Sequence, residues 1–276
     1  MSSADVGGAP VPGAPAGFVV RAIPADRLVV LDWLTRASRR YPVHGLVEFD
    51  VSVASPRISG AEPPVSWTGF VIATMARAVA RHPEVNARRA GRRVLYFDRV
   101  DIGATVEREI DGTVVLGAFS IEAADRKSCA EVTAELRRAK ESRRPAPQQG
   151  PLARRAARLP GPIRRVAFEV AGARPGVAAK LGPAVGVTSL GMFSRGGGWA
   201  VPIPPLTVIA TVGGVVERAV VRDGQIVVRP MLPMTLSFDH GVIDGAPASR
   251  FVETLRELIE TAAALPGSHD GGPSQS

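Results

Sequence analysis

Four stretches of the chain repeat apolar residues at helical spacing. Residues 25 to 40 set Leu28, Leu31 and Leu34 on one face, which Trp33 extends, and residues 68 to 81 gather Val71, Ile72, Met75 and Val79. A third helix is predicted from Ser128 to about Glu141. Its capping box lets the Ser128 hydroxyl and the Glu131 carboxylate satisfy each other's free backbone donors. Phe251, Leu255, Leu258 and Ile259 make the last helix amphipathic. Between the helices lie β-type runs over 45–53, 94–101, 103–108, 113–119, 206–212, 215–221, 225–229 and 234–239, and Asp223 with Gly224 is a two-residue hairpin signal. The pattern predicts an α/β domain in which one mixed β-sheet is flanked by helices.

The two ends lack such patterning. Residues 1–16 and 266–276 are Gly, Ala, Pro and Ser with almost no large apolar side chains and read as disordered tails, leaving a folded domain over 17–265. With 276 residues, 45% apolar and 22% charged, disorder of the whole chain is excluded and one sizeable core is expected. Charged, Gly or Pro residues cut every apolar run before the roughly 18 consecutive positions a membrane span needs. No basic cluster or apolar core opens the chain, so no signal peptide is expected and the predicted location is cytoplasmic. A lone cysteine, Cys129, and four scattered histidines offer no metal-ligand spacing, so no metal is expected. Cys129 itself reads as a small apolar filler, and His44 and His82 as structural.

A net charge of +8 could serve nucleic acid, an anionic surface or phosphorylated substrates. Only Lys127, Lys140 and Lys180 are lysines, so arginine supplies nearly all of it, alongside heavy use of Ala, Gly and Pro. That bias reads as genome composition and assigns no partner. Seven arginines and no acid lie between Arg143 and Arg165, in a stretch broken by five prolines that reads as a linker with short helical pieces.

The segment that carries chemistry is Leu236 to Gly245. A strand ends at His240, and Asp244 with Gly245 follows just before the last helix. A histidine at a strand exit can face a cleft on a rigid backbone, and its ordinary pKa suits proton transfer. The plain alternative is a surface turn, with Asp244 capping the helix and Gly245 supplying an unusual backbone conformation.

With its flanks, this segment resembles the catalytic domain of the dihydrolipoamide acyltransferases of 2-oxo acid dehydrogenase complexes, whose signature is HxxxDG after a Ser-Phe-Asp strand. Stretches that agree in order are Pro42 to Ser52, Val65 to Ala87 with its His82-to-Ala87 turn, Asp98 to Gly103, Ala124 to Ser128, Val187 to Phe193, Pro204 and Pro205, and Val212 with Gly213. The resemblance implies a two-layer, chloramphenicol acetyltransferase-like fold that forms a homotrimer or a larger assembly, with the site between subunits. It also implies acyl transfer between a coenzyme A thioester and an acceptor, a thiol of the dihydrolipoamide kind or another group. His240 would be the general base. Asp244 would hold the loop presenting the imidazole, with direct contact to the ring as the other use. The hydroxyl that stabilises the oxyanion would come from Thr188, or from Ser189 if the match shifts by one residue; a plain strand role for Thr188 is the alternative.

The chain also departs from that family. Its sixteen-residue tail is too short for a lipoyl domain, so no lipoyl group is expected on this chain and a separate lipoyl-bearing protein would deliver one. Gly241 stands where the family has Arg, and the insertion over about 143–183 exceeds the usual connection. Three readings of that insertion stand: a solvated basic surface, a clamp for coenzyme A phosphates or an acidic partner built on Arg154, Arg155, Arg158, Arg164 and Arg165, or contact with nucleic acid or membrane. The last is disfavoured because no aromatic interleaves the arginines before Phe168 and prolines break any continuous amphipathic helix. The turn at Gly196 to Gly198 lacks the rest of a phosphate loop, and Trp199 either lines a substrate tunnel or closes the core. Two functions follow: a stand-alone acyltransferase, or a non-catalytic trimeric scaffold that binds an acidic protein or a lipoyl domain through its basic insertion.

Overall fold

The computed structural model describes residues 20, 22–23, 25–110, 113–142, 159–189, 197–203 and 205–266. The tail expected at 1–16 lies outside them, as does all of the tail expected at 266–276 but Pro266, and so do Arg154, Arg155 and Arg158. In chain order the helices are α1 (Ala25–Ala37), α2 (Ala54–Ser59), α3 (Trp67–Arg81), α4 (Cys129–Glu141), α5 (Gly161–Ala173), α6 (Pro175–Ala178) and α7 (Gly245–Glu260). The strands are β1 (Pro42–Asp50), β2 (Ala87–Ala90), β3 (Arg93–Tyr96), β4 (Ile102–Ile110), β5 (Thr113–Ile121), β6 (Val185–Ser189), β7 (Val208–Val212), β8 (Val216–Arg222) and β9 (Gln225–Asp239).

Seven strands form one mixed sheet in the order β1-β9-β7-β6-β4-β5, with β8 on the free half of β9. The pairs β4–β6 and β6–β7 are parallel and the rest antiparallel. Helices α3, α4 and α7 cover one face. Phe70, Ile72 and Met75 of α3 and Phe251, Leu255 and Ile259 of α7 pack there on Val185 and Val187 of β6, Val208 and Ala210 of β7, and Leu232, Met234, Leu236 and Phe238 of β9. The mixed sheet and its helices match the expected fold class.

Local chemistry sets the element ends. The Ser66 hydroxyl accepts the Gly69 amide at 3.0 Å to open α3, and the predicted capping box opens α4, with Ser128 N donating to Glu131 Oε2 at 2.8 Å. Asp223 (φ 51°) and Gly224 (φ 75°) both take left-handed conformations in the β8–β9 hairpin, the geometry that its right-handed strand twist requires.

Three expectations change. The runs 225–229 and 234–239 form one fifteen-residue strand through Pro230 and Pro233. Residues 225–231 of β9 pair with β8 and 234–238 with β7, so the prolines fall where the ladder changes partner and cost little hydrogen bonding. The run 94–101 shortens to β3, which pairs with β2 in a small separate sheet. In the insertion, the helical pieces include a full helix, α5, seated on α1 by a buried ion pair between Arg164 and Asp32. Among the described residues no helix is long and apolar enough to cross a membrane.

Candidate active site

Strand β9 delivers His240 to its position. Along its buried half, side chains alternate between the two faces. Leu232, Met234, Leu236 and Phe238 enter the helix-covered core, so Thr235, Ser237 and Asp239 face the other way. At the strand's end the backbone is held on both sides: Asp239 N donates to Thr207 O at 2.8 Å, and His240 N donates to Tyr41 O at 2.8 Å. The Asp239 carboxylate is fully buried. One oxygen accepts the Gly241 amide at 3.1 Å, and the other accepts Arg40 Nη1 at 3.0 Å. Burial lowers the Arg40 pKa, and Asp239 opposes that shift.

After His240 the chain turns tightly, with Val242 N and Ile243 N both donating to Asp239 O, and buried Ile243 anchors the turn in the core. The imidazole is 48% exposed. Its Nδ1 lies 3.1 Å from the Ile243 carbonyl oxygen and 3.6 Å from Asp244 Oδ1. Asp244 occupies the N-cap position of α7, yet its side chain makes no cap hydrogen bond. The carboxylate therefore stands beside the ring rather than on the helix end.

Thr188 and Ser189 lie together at the end of β6, and strand register separates them. Thr188 pairs with Thr211, which pairs with Thr235, so three threonines share one rung on the face away from the helices. Ser189 is on the next rung with Val212 and Met234, both core residues. The Thr211 and Thr235 hydroxyls are buried without a hydrogen-bond partner among the described residues, so the row carries unused donors.

Within one chain His240 and Thr188 do not meet. His240 lies five residues along β9 from the Thr235 rung, roughly 17 Å, and β6 is two strands away, about 10 Å. One carbonyl group cannot touch both. The pair can act together only if the two groups come from different subunits.

The other candidates resolve individually. Arg164 was a candidate for a phosphate clamp, but its side chain is buried against Asp32, which removes it from solvent. Arg165 is 57% exposed, with Nε 3.5 Å from Asp32 Oδ1. His44 Nδ1 is 2.8 Å from Ser237 Oγ, and His82 Nε2 is 2.8 Å from Thr254 Oγ1, both structural arrangements. Trp199 is 40% exposed and donates from Nε1 to the Val47 carbonyl at 3.1 Å. Gly245 opens α7.

Sequence reasoning assigned no role to Arg40, Asp239 or the Thr211–Thr235 pair. The available signal was parity: on a strand whose even positions are apolar, Thr235, Ser237 and Asp239 share the opposite face.

Comparison with known proteins agrees with this architecture. A lipoamide acyltransferase component of the branched-chain alpha-keto acid dehydrogenase complex from Pseudomonas putida is 44% identical over 86 residues, 30% of this chain and 20% of that protein. A dihydrolipoyllysine-residue succinyltransferase component of the 2-oxoglutarate dehydrogenase complex from Haemophilus influenzae is 28% identical over 203 residues, 73% of this chain and 42% of that protein. The chain thus spans less than half the length of these curated relatives. The crystal structure of a probable dihydrolipoamide acetyltransferase from Listeria monocytogenes shares the fold, with a TM-score of 0.68 at 20% identity, over 92% of this chain and 99% of that one. The model of the 2-oxoacid dehydrogenases acyltransferase catalytic domain matches residues 36–146 and 181–266, on either side of most of the arginine-rich insertion. The chain belongs to the family of 2-oxoacid dehydrogenase acyltransferase catalytic domains.

Proposed function

We propose that this chain transfers an acyl group between a coenzyme A thioester and an acceptor thiol of the dihydrolipoamide kind, with His240 as general base and Thr188 as the hydroxyl that stabilises the oxyanion. One observation carries the reading: the Nδ1 contact of His240. A carbonyl oxygen can only accept, so Nδ1 keeps its hydrogen by donating to Ile243 O, and the neutral ring leaves its lone pair on Nε2. Asp244, 3.6 Å from Nδ1, steadies the ring once it gains a proton.

In the transfer, Nε2 takes the proton of the acceptor thiol as its sulfur attacks the thioester carbonyl. The carbonyl oxygen gains the negative charge and accepts a hydrogen bond from the Thr188 hydroxyl. When the tetrahedral adduct collapses, the carbon–sulfur bond to coenzyme A breaks and its thiolate takes the proton back from Nε2. The coenzyme is a substrate here. The distance between His240 and Thr188 within one chain supports a site shared between subunits; in a homotrimer, a neighbour's Thr188 would complete each one.

His240→Ala tests this. Acyl transfer should fall by about 10²- to 10⁴-fold, with assembly size unchanged in light scattering. A subunit that serves only as a partner-binding scaffold would show no acyl transfer to lose and would keep its partner binding.

A further inference from the structure

Arg89 is on β2, outside the main sheet, and its guanidinium reaches the turn that carries His240. Its Cζ is 5.9 Å from the centre of the Tyr41 ring, and Tyr41 is the residue whose carbonyl holds the His240 amide. A Cβ added to Gly241 would stand 3.3 Å from Arg89 Nη1 and 3.5 Å from Cζ. Asp239 Oδ1 stands 3.1 Å from the same point, so the guanidinium lies against Gly241, next to the proposed base, and on the side of the buried carboxylate that Arg40 already pairs.

The neighbouring arginines are all engaged. Arg40 is paired with Asp239 and Arg36 with Glu169, and buried Arg88 donates to the carbonyls of Ala178 and Gly182. Arg89 is half-buried, and among the described residues it has no carboxylate or carbonyl partner, only the Tyr41 ring. Its charge is felt at Arg40: burial lowers the Arg40 pKa most, Asp239 opposes that, and the charges of Arg36 and Arg89 add to the lowering. A half-desolvated guanidinium with its planar fork unfilled is suited to a carboxylate or phosphate oxygen pair.

We infer that Arg89 is the recognition residue for an anionic group within a few bonds of the reacting carbonyl, namely the terminal carboxylate of a dicarboxylic acyl thioester. This rests on His240 being the base of acyl transfer. The phosphates of coenzyme A are a poorer match, because the whole pantetheine arm separates them from the thioester while Arg89 packs on the residue after His240. The carboxylate end of a four-carbon acyl group lies only two methylenes from the reacting carbonyl.

The test compares kcat/KM for succinyl-CoA and acetyl-CoA in the assembled wild-type protein, Arg89→Gln and Arg89→Lys. The wild type should prefer succinyl-CoA, and Arg89→Gln should lower the succinyl-to-acetyl ratio by about tenfold or more, with Arg89→Lys between the two. An unchanged ratio in Arg89→Gln overturns the assignment. So does an equal loss with both coenzyme A esters that disappears with S-succinylpantetheine, because that marks a phosphate site. A second measurement needs no turnover: calorimetric binding of the thioethers S-(3-carboxypropyl)-CoA and S-butyl-CoA. If no donor is turned over but the carboxylated thioether binds more tightly and Arg89→Gln removes that advantage, the acyl-transfer reading falls and the Arg89 site stands. Equal binding of the two thioethers by the wild type overturns the site itself.

Discussion

Arg40 Nη1 donates to Asp239 Oδ2 at 3.0 Å, joining residues 199 positions apart in the chain. The other oxygen of the same carboxylate accepts the Gly241 amide. Asp239 therefore ties the segment between α1 and β1 to the turn bearing His240. The arrangement holds a catalytic candidate through its backbone, leaving the imidazole free to work at the surface.

Removing one side of this pair should be costly. Arg40→Ala leaves Asp239, which is fully buried, without its counter-charge, and breaking a buried pair from one side typically costs about 3–5 kcal/mol. Chemical denaturation should show a loss of that size together with reduced acyl transfer. The double change Arg40→Met with Asp239→Asn should cost less than the sum of the singles, because no charge is left buried alone.

Close packing of α3 on α4 gives a second expectation. A Cβ at Gly69 would land on Thr133 Oγ1 and within 3.2 Å of the Cys129 carbonyl. Thr133 Oγ1 already accepts the Ser66 amide at 3.1 Å and donates to Cys129 O at 2.8 Å, so it has little room to yield. Alanine gains roughly 1 kcal/mol of helix propensity over glycine, while overpacking costs about 1–3 kcal/mol. Overpacking should win, and Gly69→Ala should melt at a lower temperature than the wild type.

The same contrast between local and distant information explains what the sequence revealed. Helices α3, α4 and α7 were legible because each buries one stripe, and Ser128 with Glu131 marks the start of α4 locally. His240 and Asp244 were legible as a spaced pair. The continuity of β9 was not: Pro230 and Pro233 read as breaks, and only the change of partner strand at that point accommodates them. Strand β6 escaped the pattern because five residues are too few to show a period. Strand β2 carries Arg88 and Arg89, so its partly buried character contradicts its composition. The Arg40–Asp239 and Arg164–Asp32 pairs depend on tertiary contact across long sequence separations, and the separation of Thr188 from Ser189 depends on register across three strands.

Cys129 should be chemically quiet. Burial pushes its thiol from 9.0 up to about 11, outweighing the opposing charge of Arg77, and Sγ donates to the Ala264 carbonyl at 3.1 Å. At pH 8 only about one thiol in a thousand is then ionised. Mass spectrometry after iodoacetamide treatment should find the folded protein modified at least about a hundredfold more slowly than the unfolded chain. The linkage has a definite sign: the unfolded thiol loses its proton near pH 9 and the folded one near 11, so the stability tied to that proton is complete below pH 9 and falls between 9 and 11.

Register also decides which hydroxyl should matter in the proposed mechanism. Thr188 shares its rung with Thr211 and Thr235 on the face away from the helices, whereas Ser189 shares its rung with Val212 and Met234 of the core. Because strand side chains alternate faces, only one of the two can address a substrate on the face away from the helices. Thr188→Val keeps the branched shape and removes the donor, so kcat should fall by about 10²- to 10³-fold, the usual cost of losing an oxyanion donor. Thr188→Ser should retain most of the activity, and Ser189→Ala should change kcat by no more than a few-fold. Assembly size must stay constant across all three variants for the comparison to report chemistry. The reverse ranking, with Ser189→Ala the damaging change, would place the donor on the core-facing rung and require β6 to pair one residue out of its present register.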